Sequence, residues 1–140
     1  MQNQILEKSI QNHQSTPFLD WIDEGLKKYE GRLKTKIQEW SLHPQKLMIF
    51  TNNKKSVLVE ITSLPTFADF GEAYEKLGSL LIPGKLTKEE VIDLYNGFFH
   101  HPDEKLIPGL TSQMIKDHGV VAIGVRPIAT TPLANSSLSL

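Results

Sequence analysis

The chain contains no cysteine among its 140 residues. This absence excludes disulfide bonds, thiolate nucleophiles, iron–sulfur clusters held by cysteine and cysteine-based zinc sites. Charge of one sign does not dominate either, because 15 lysine and arginine residues face 16 aspartate and glutamate residues, for a net charge of −1. With no bulk charge to attract nucleic acid or an anionic membrane, we expect neither as a partner.

Long apolar runs are also missing. No stretch approaches the roughly 20 apolar residues of a membrane-spanning helix. The N-terminal segment lacks the basic start, apolar run and small-residue cleavage site of a secretion signal, so we expect a cytoplasmic protein. The composition predicts a flexible segment over 1–15, one domain over 16–127 and a flexible tail over 128–140, which is rich in serine, threonine, alanine and proline.

Apolar residues recur every three or four positions from Phe18 to Trp40. This spacing predicts one long amphipathic helix that begins just after Thr16. Gly25 and Gly31 would weaken such a helix, or they would let another backbone approach closely. The sequence does not decide between these two roles.

β structure is predicted in two places. Two β-rich runs, 46–51 and 56–62, flank the polar stretch 52–55 and predict a β-hairpin. The apolar run from Val120 to Val125 predicts a strand buried on both faces at the centre of the sheet, and Pro127 is expected to end it.

Three shorter helices are predicted in the second half of the chain. The first is expected to begin at Thr66, the second at Thr87 with Glu90 closing a capping box, and the third near Thr111, ending at Gly119. The predicted fold is therefore α+β, with the long N-terminal helix packed on a small antiparallel sheet of about three strands.

Histidines and an aspartate form the densest group of possible ligands and proton carriers. His100, His101 and Asp103 lie within four positions, and His118 is a further weak candidate for a metal ligand. Adjacent histidines project in different directions and lack the spacing of a helix-borne metal pair. The alternative is a helix end closed by Pro102, and we expect no cofactor and no metal.

A stretch of about 30 residues resembles the J-domain co-chaperones. It contains Tyr74-Glu75-Lys76-Leu77-Gly78, then a predicted helix, then His101-Pro102-Asp103. The resemblance implies that these last three residues stimulate the ATPase of a seventy-kilodalton heat-shock chaperone. The family's helix is strongly basic, whereas this one carries Glu89, Glu90 and Asp93. A co-chaperone function is therefore kept only as a weaker alternative.

Aromatic residues are numerous for so small a predicted sheet, and surplus aromatic surface is typical of a binding face. The predicted contact residues are Trp21, Tyr29, Trp40, Phe98 and Phe99. A second copy of the chain is the simplest partner. The sequence thus favours a non-enzymatic protein-binding or regulatory module that acts as a homodimer, or that binds another protein. The alternative is a small-ligand or metal-dependent enzyme that uses the histidine cluster.

Overall fold

A computed structural model describes residues 5–10, 17–99 and 110–132. The strands are β1 (Leu6–Ser9), β2 (Tyr29–Leu33), β3 (Leu47–Thr51), β4 (Lys55–Ser63), β5 (Thr66–Phe67) and β6 (Val120–Pro132). The helices are α1 (Phe18–Asp23), α2 (Lys36–Glu39), α3 (Phe70–Leu77), α4 (Lys88–Phe99) and α5 (Leu110–His118), and a short 3-10 helix, Gly78–Leu80, follows α3.

The described strands form one curled, mixed sheet in the order β1-β3-β4-β6-β2, with β5 paired to the start of β6. Only β1 and β3 are parallel. The α+β class is confirmed, but the predicted architecture is wrong. The structure is a six-stranded half-barrel with short helices, and no long N-terminal helix packs on a three-stranded sheet within the described residues.

The predicted helix from Phe18 to Trp40 is instead a helix, a turn, a strand and a second short helix. Gly25 has a φ of +80°, which ends α1 in the left-handed region that glycine adopts most readily. Gly31 lies in β2, where a Cβ atom would come within 2.8 Å of the Phe70 ring. Both glycines therefore favour this path over a continuous helix, and the three-to-four spacing of the apolar residues did not reveal it.

Strand β6 confirms the central strand predicted from Val120 to Val125. All six of these residues are buried; β2 pairs with residues 120–124 on one side, and β5 and the end of β4 lie on the other. The predicted end at Pro127 is wrong, because β6 continues to Pro132. Proline is tolerated there because, among the described residues, β6 has a neighbour on only one side beyond Val125.

Two other local predictions are confirmed. Strands β3 and β4 form the predicted hairpin, with Thr51 opposite Ser56. Helix α4 has the predicted capping box, in which Glu90 N donates to Thr87 Oγ1 at 3.1 Å and Thr87 N donates to Glu90 Oε1 at 2.8 Å. Helix α3 does not begin at Thr66, since that residue lies in β5.

The cap of α3 is Asp69, whose Oδ1 accepts from Glu72 N at 2.8 Å. Phe70 at the start of α3 stacks on Tyr95 of α4, with ring centroids 3.9 Å apart. Both rings lie against Gly31, so α3 and α4 cover that face of β2.

The sheet extends on both sides of the range predicted for the domain. Strand β1 lies within 1–15 and pairs with β3, and β6 runs into 128–140 as far as Pro132. The division of the chain into one domain and two flexible ends stays a prediction.

Candidate binding site

A cleft of about 230 Å³ opens where the helical cover of β2 ends. The start of β2 and the middle of β6 meet there, beside the short 3-10 helix that follows α3. The lining residues are Gly25, Lys27, Lys28, Tyr29, Thr62, Leu80, Val125, Arg126 and Pro127.

Hydrogen-bond donors dominate the polar lining of the cleft. Lys28 is exposed, and its side chain forms no ion pair with any residue of the described ranges. Arg126 forms an ion pair with Glu60 across the β4–β6 pair, but its side chain is 62% exposed and retains further N–H groups for a ligand. Tyr29 and Thr62 add hydroxyl groups. This arrangement favours an anionic group in the cleft.

Two irregularities of the sheet shape the cleft. The register between β4 and β6 shifts at two points, which leaves Thr62 and Ile128 without a partner in the pairing. Bulged residues of this kind redirect side chains and are common beside binding sites. Thr62 lines the cleft, and Ile128 follows the lining residue Pro127.

One exposed apolar side chain lines the opening, and two others follow lining residues in the chain. Leu80 lines the cleft and is 40% exposed; Leu26, between two lining residues, is 53% exposed; and Ile128 is 46% exposed. Among the residues whose side chains are described, only two other large apolar residues, Ile5 and Leu47, are similarly exposed. Three of these five exposed residues therefore lie in the cleft or next to a lining residue in the chain.

A buried lysine supports one wall of the cleft. Lys27 is 0% exposed, and its Nζ donates a hydrogen bond to the carbonyl oxygen of Leu81. The next residue, Lys28, donates its backbone N–H to Leu80 O at 2.8 Å. These two bonds hold the segment that carries the rim residue Leu80 against the start of β2.

The ammonium group of Lys27 is only partly compensated. Glu30 Oε1 lies 3.5 Å from Lys27 Nζ, and the Phe18 ring centroid lies 4.6 Å away. Burial away from water lowers the pKa of Lys27 to about 8, although the Glu30 carboxylate acts in the opposite direction. Glu30 also accepts from Arg32 Nε at 3.1 Å. Because Lys27 has no solvent-accessible surface, we assign it a structural role.

The open side of β6 begins at the cleft. Val125 N donates to Lys28 O at 2.9 Å, and this bond is the last between β6 and the β2 side. From Arg126 to Pro132, no described strand pairs with that side of β6, although β4 pairs with the other and the Thr130 hydroxyl donates a hydrogen bond to Asp23 of α1. An unpaired strand side is a template for another extended chain.

Of the predicted contact residues whose side chains are described, only Tyr29 lines this cleft. Trp21, Tyr29 and Trp40 are half-buried and pack against the core. Lys8, Arg32 and Lys36 lie 4.7 to 5.5 Å from the centroid of Trp40. Phe98 and Phe99 belong to α4, but their side chains lie outside the described part of the structure. The predicted partner-binding role of these residues stays a prediction.

The predicted histidine site cannot be placed. His100, His101 and Asp103 lie outside the described residues, whereas His118 is exposed at the end of α5. Within 5–10, 17–99 and 110–132, no three histidine, aspartate or glutamate side chains come together as a possible metal site. The predicted enzyme and co-chaperone alternatives remain predictions.

Sequence reasoning missed the principal residues of the cleft. Leu26 and Lys28 fall within the stretch whose apolar spacing predicts a long helix, and Leu80 and Arg126 belong to no motif that predicts a site. The available signal was the pair Arg126-Pro127 directly after a buried apolar run, since proline in a strand marks an unpaired side.

Comparison with known proteins gives the fold but no activity. No protein family model matches the chain, and no curated protein matches it. The crystal structure of hypothetical protein PH0355 is similar, with 27% identity and a TM-score of 0.68, over 89% of this chain and 100% of that one. The solution structure of protein PF0455 from Pyrococcus furiosus has 27% identity and a TM-score of 0.64, over 89% and 98%.

The fold is shared with both proteins. Neither name states an activity, so function must be argued from the geometry of the site. In the described residues, no helix has the length and apolar character needed to cross a membrane.

Proposed function

We propose that the protein is a non-enzymatic protein-binding module that holds a polypeptide segment of its partner at the cleft between β2 and β6. The observation that carries the proposal is the exposed aliphatic side chain of Leu80 in a cleft beside an unpaired strand side, with the exposed residues Leu26 and Ile128 next to lining residues in the chain. Apolar patches with a polar rim are typical of protein contacts.

The composition of the cleft favours a polypeptide over a small substrate. Its exposed aliphatic residue Leu80 lies where an extended chain would contact it, and β6 offers backbone groups beside the same cleft. Backbone hydrogen bonds supply affinity in strand addition, and side-chain pockets supply specificity.

Peptide selection tests the proposal directly. The immobilised protein is screened with random peptides displayed with either end free, and the binders are measured again on Leu80→Ser and Leu47→Ser. We expect Leu80→Ser to weaken binding by about tenfold or more, since one buried leucine contributes about 1.5–3 kcal/mol. Leu47 is 38% exposed and is not among the lining residues, so its variant is the matched control.

Two results would refute the proposal. One is the absence of any selected peptide, and the other is a set of binders that tolerates Leu80→Ser as well as Leu47→Ser.

The prediction that the protein acts as a cytoplasmic homodimer accompanies this proposal. Light scattering of the purified protein checks the dimer, because a second copy could add its own β6 to the open side of the first.

A further inference from the structure

The position of β2 limits what can bind along the open side of β6. Strand β2 occupies that side as far as Tyr29, which pairs with Gly124, and Lys28 O accepts the N–H of Val125. A chain added beside residues 126–132 would lie in line with β2. It would meet Lys28 after a few residues and could not continue along the sheet. The added chain must therefore turn away or end at the cleft.

The charge at that point selects one end of the added chain. Lys28 forms no ion pair with a described residue, and Arg126 and Tyr29 line the same cleft. Cationic and hydroxyl donors stabilise a carboxylate, whereas the two cationic side chains repel the ammonium group of a chain N-terminus. An antiparallel strand beside β6 has its C-terminal end toward Arg126, which is the orientation β2 already has.

A missing backbone donor explains why side chains would hold the end of the chain. Alternate residues of a strand direct their N–H groups to the same side. Val125 directs its N–H toward Lys28 O, so the next position on that side is Pro127, which has no N–H. The backbone ladder therefore cannot receive a carboxylate there, and Lys28 and Arg126 are the exposed charged donors within the cleft.

The apolar rim specifies the last residue of the partner. Leu80 lines the cleft, and the exposed Leu26 is flanked in the chain by the lining residues Gly25 and Lys27. A cleft of about 230 Å³ can contain one aliphatic side chain together with a terminal carboxylate. We infer that the site binds the free C-terminus of an extended partner chain with an aliphatic last residue, antiparallel to β6. This inference rests on the proposed function and adds the chain end, its charge and its direction.

Matched peptides test the inference. Two fluorescent pools of short peptides are used, both with leucine, isoleucine or valine last and random residues before it. One pool ends in a free carboxylate and the other in an amide. We expect the free acids to bind about tenfold or more tightly, because a charge-assisted hydrogen bond contributes about 1.5–3 kcal/mol.

The lysine variants test whether the Lys28 side chain binds the terminal carboxylate. Lys28→Met should remove most of the preference for the free acid while leaving the weaker binding of the amides nearly unchanged. Lys54→Met, at the exposed tip of the β3–β4 hairpin, is the matched control and should keep the preference. Amide hydrogen exchange at Ile128 to Thr131 should slow when the free-acid peptides bind, because an added strand protects the open side of β6.

The outcomes separate the two proposals. Equal binding of acids and amides, both sensitive to Leu80→Ser, would overturn the inference and leave the proposed function intact. A preference for acids that Lys28→Met does not reduce would also overturn it. If neither pool binds, the inference is wrong. The selection with internal peptides then decides the proposed function by itself.

Discussion

At the scale of single residues, Gly31 and Lys27 each shape the structure through an environment that tolerates little change. Gly31 lets two aromatic rings lie against the backbone of β2, which a side chain of any size would prevent. Lys27 holds one wall of the cleft in place, but among the described residues its buried ammonium group has only the Glu30 carboxylate, 3.5 Å away, to offset its charge. Each arrangement leads to a measurable consequence.

Gly31→Ala is expected to destabilise the protein by about 1–3 kcal/mol, the usual cost of overpacking. The added Cβ would come within 2.8 Å of Phe70 Cε1 and 2.8 Å of the Tyr95 hydroxyl oxygen. Urea unfolding measures the loss. The matched test adds Gly31→Ala to Phe70→Leu, where one of the two clashes is gone, and the cost should be smaller there. An equal cost in both backgrounds would contradict the packing argument.

The pH dependence of stability should identify Lys27. Below pH 8 the ammonium group is charged in both the folded and the unfolded chain, so burial of the charge lowers the free energy of unfolding by its full amount. Between pH 8 and 10.5 the folded chain releases this proton before the unfolded chain does, so stability should rise with pH. Burial raises the pKa of Tyr95 well above 10.0, which opposes this rise only at higher pH.

The comparison is the free energy of unfolding of the wild type relative to Lys27→Met. From about pH 7.5 to about pH 9.5 this difference should shift by about 2 kcal/mol in favour of the wild type. A difference that does not change with pH would mean that the pKa of Lys27 in the folded protein is ordinary.

At the scale of elements, the sequence predicts those whose causes are local. The hairpin of β3 and β4 follows from two alternating strands and a polar turn, and the capping box at Thr87 follows from two residues three positions apart. The long helix predicted over residues 18–40 is wrong because the apolar spacing fits a helix, whereas the conformation is decided by the pairing of Tyr29–Leu33 with the distant strand β6. The cleft was missed for the same reason, since its walls come from segments far apart in sequence.

Thr87→Ala should destabilise the protein by about 1 kcal/mol, because it removes the oxygen that accepts from Glu90 N. Thr66→Ala is the natural control. The sequence predicted a helix cap at Thr66, but this residue is exposed in β5, so its replacement should change stability by less than about 0.5 kcal/mol. A larger loss for Thr66→Ala than for Thr87→Ala, measured by thermal unfolding, would reverse the assignment of the caps.

At the scale of the whole molecule, a side chain joins the two edges of the half-barrel. Arg32 of β2 donates through Nη2 to Ser9 O of β1 at 3.2 Å, and its guanidinium lies 5.5 Å from the Trp40 ring centroid. Lys8 of β1 contacts the same ring at 4.7 Å. No backbone pairing between β1 and β2 is present in the described residues, so side chains close this gap.

Arg32→Met should therefore loosen β1 more than the rest of the sheet. We expect amide hydrogen exchange of Leu6–Ser9 to accelerate by roughly tenfold, because the variant loses a hydrogen bond of about 1–2 kcal/mol. Exchange in β4 should change much less. Arg126→Met, at the only other arginine of the chain, is the control. Equal acceleration in all strands would show a general loss of stability instead of a local opening.

The central claim is that partners bind to the cleft and to the open side of β6. Titration of the isotopically labelled protein with a selected free-acid peptide, followed by NMR, tests it most directly. The account predicts that the largest shifts of backbone resonances occur at Lys28, Leu80 and the stretch from Arg126 to Thr131, with little change at Trp40. Shifts that centre on Trp40 or α4 while β6 stays unchanged would contradict it.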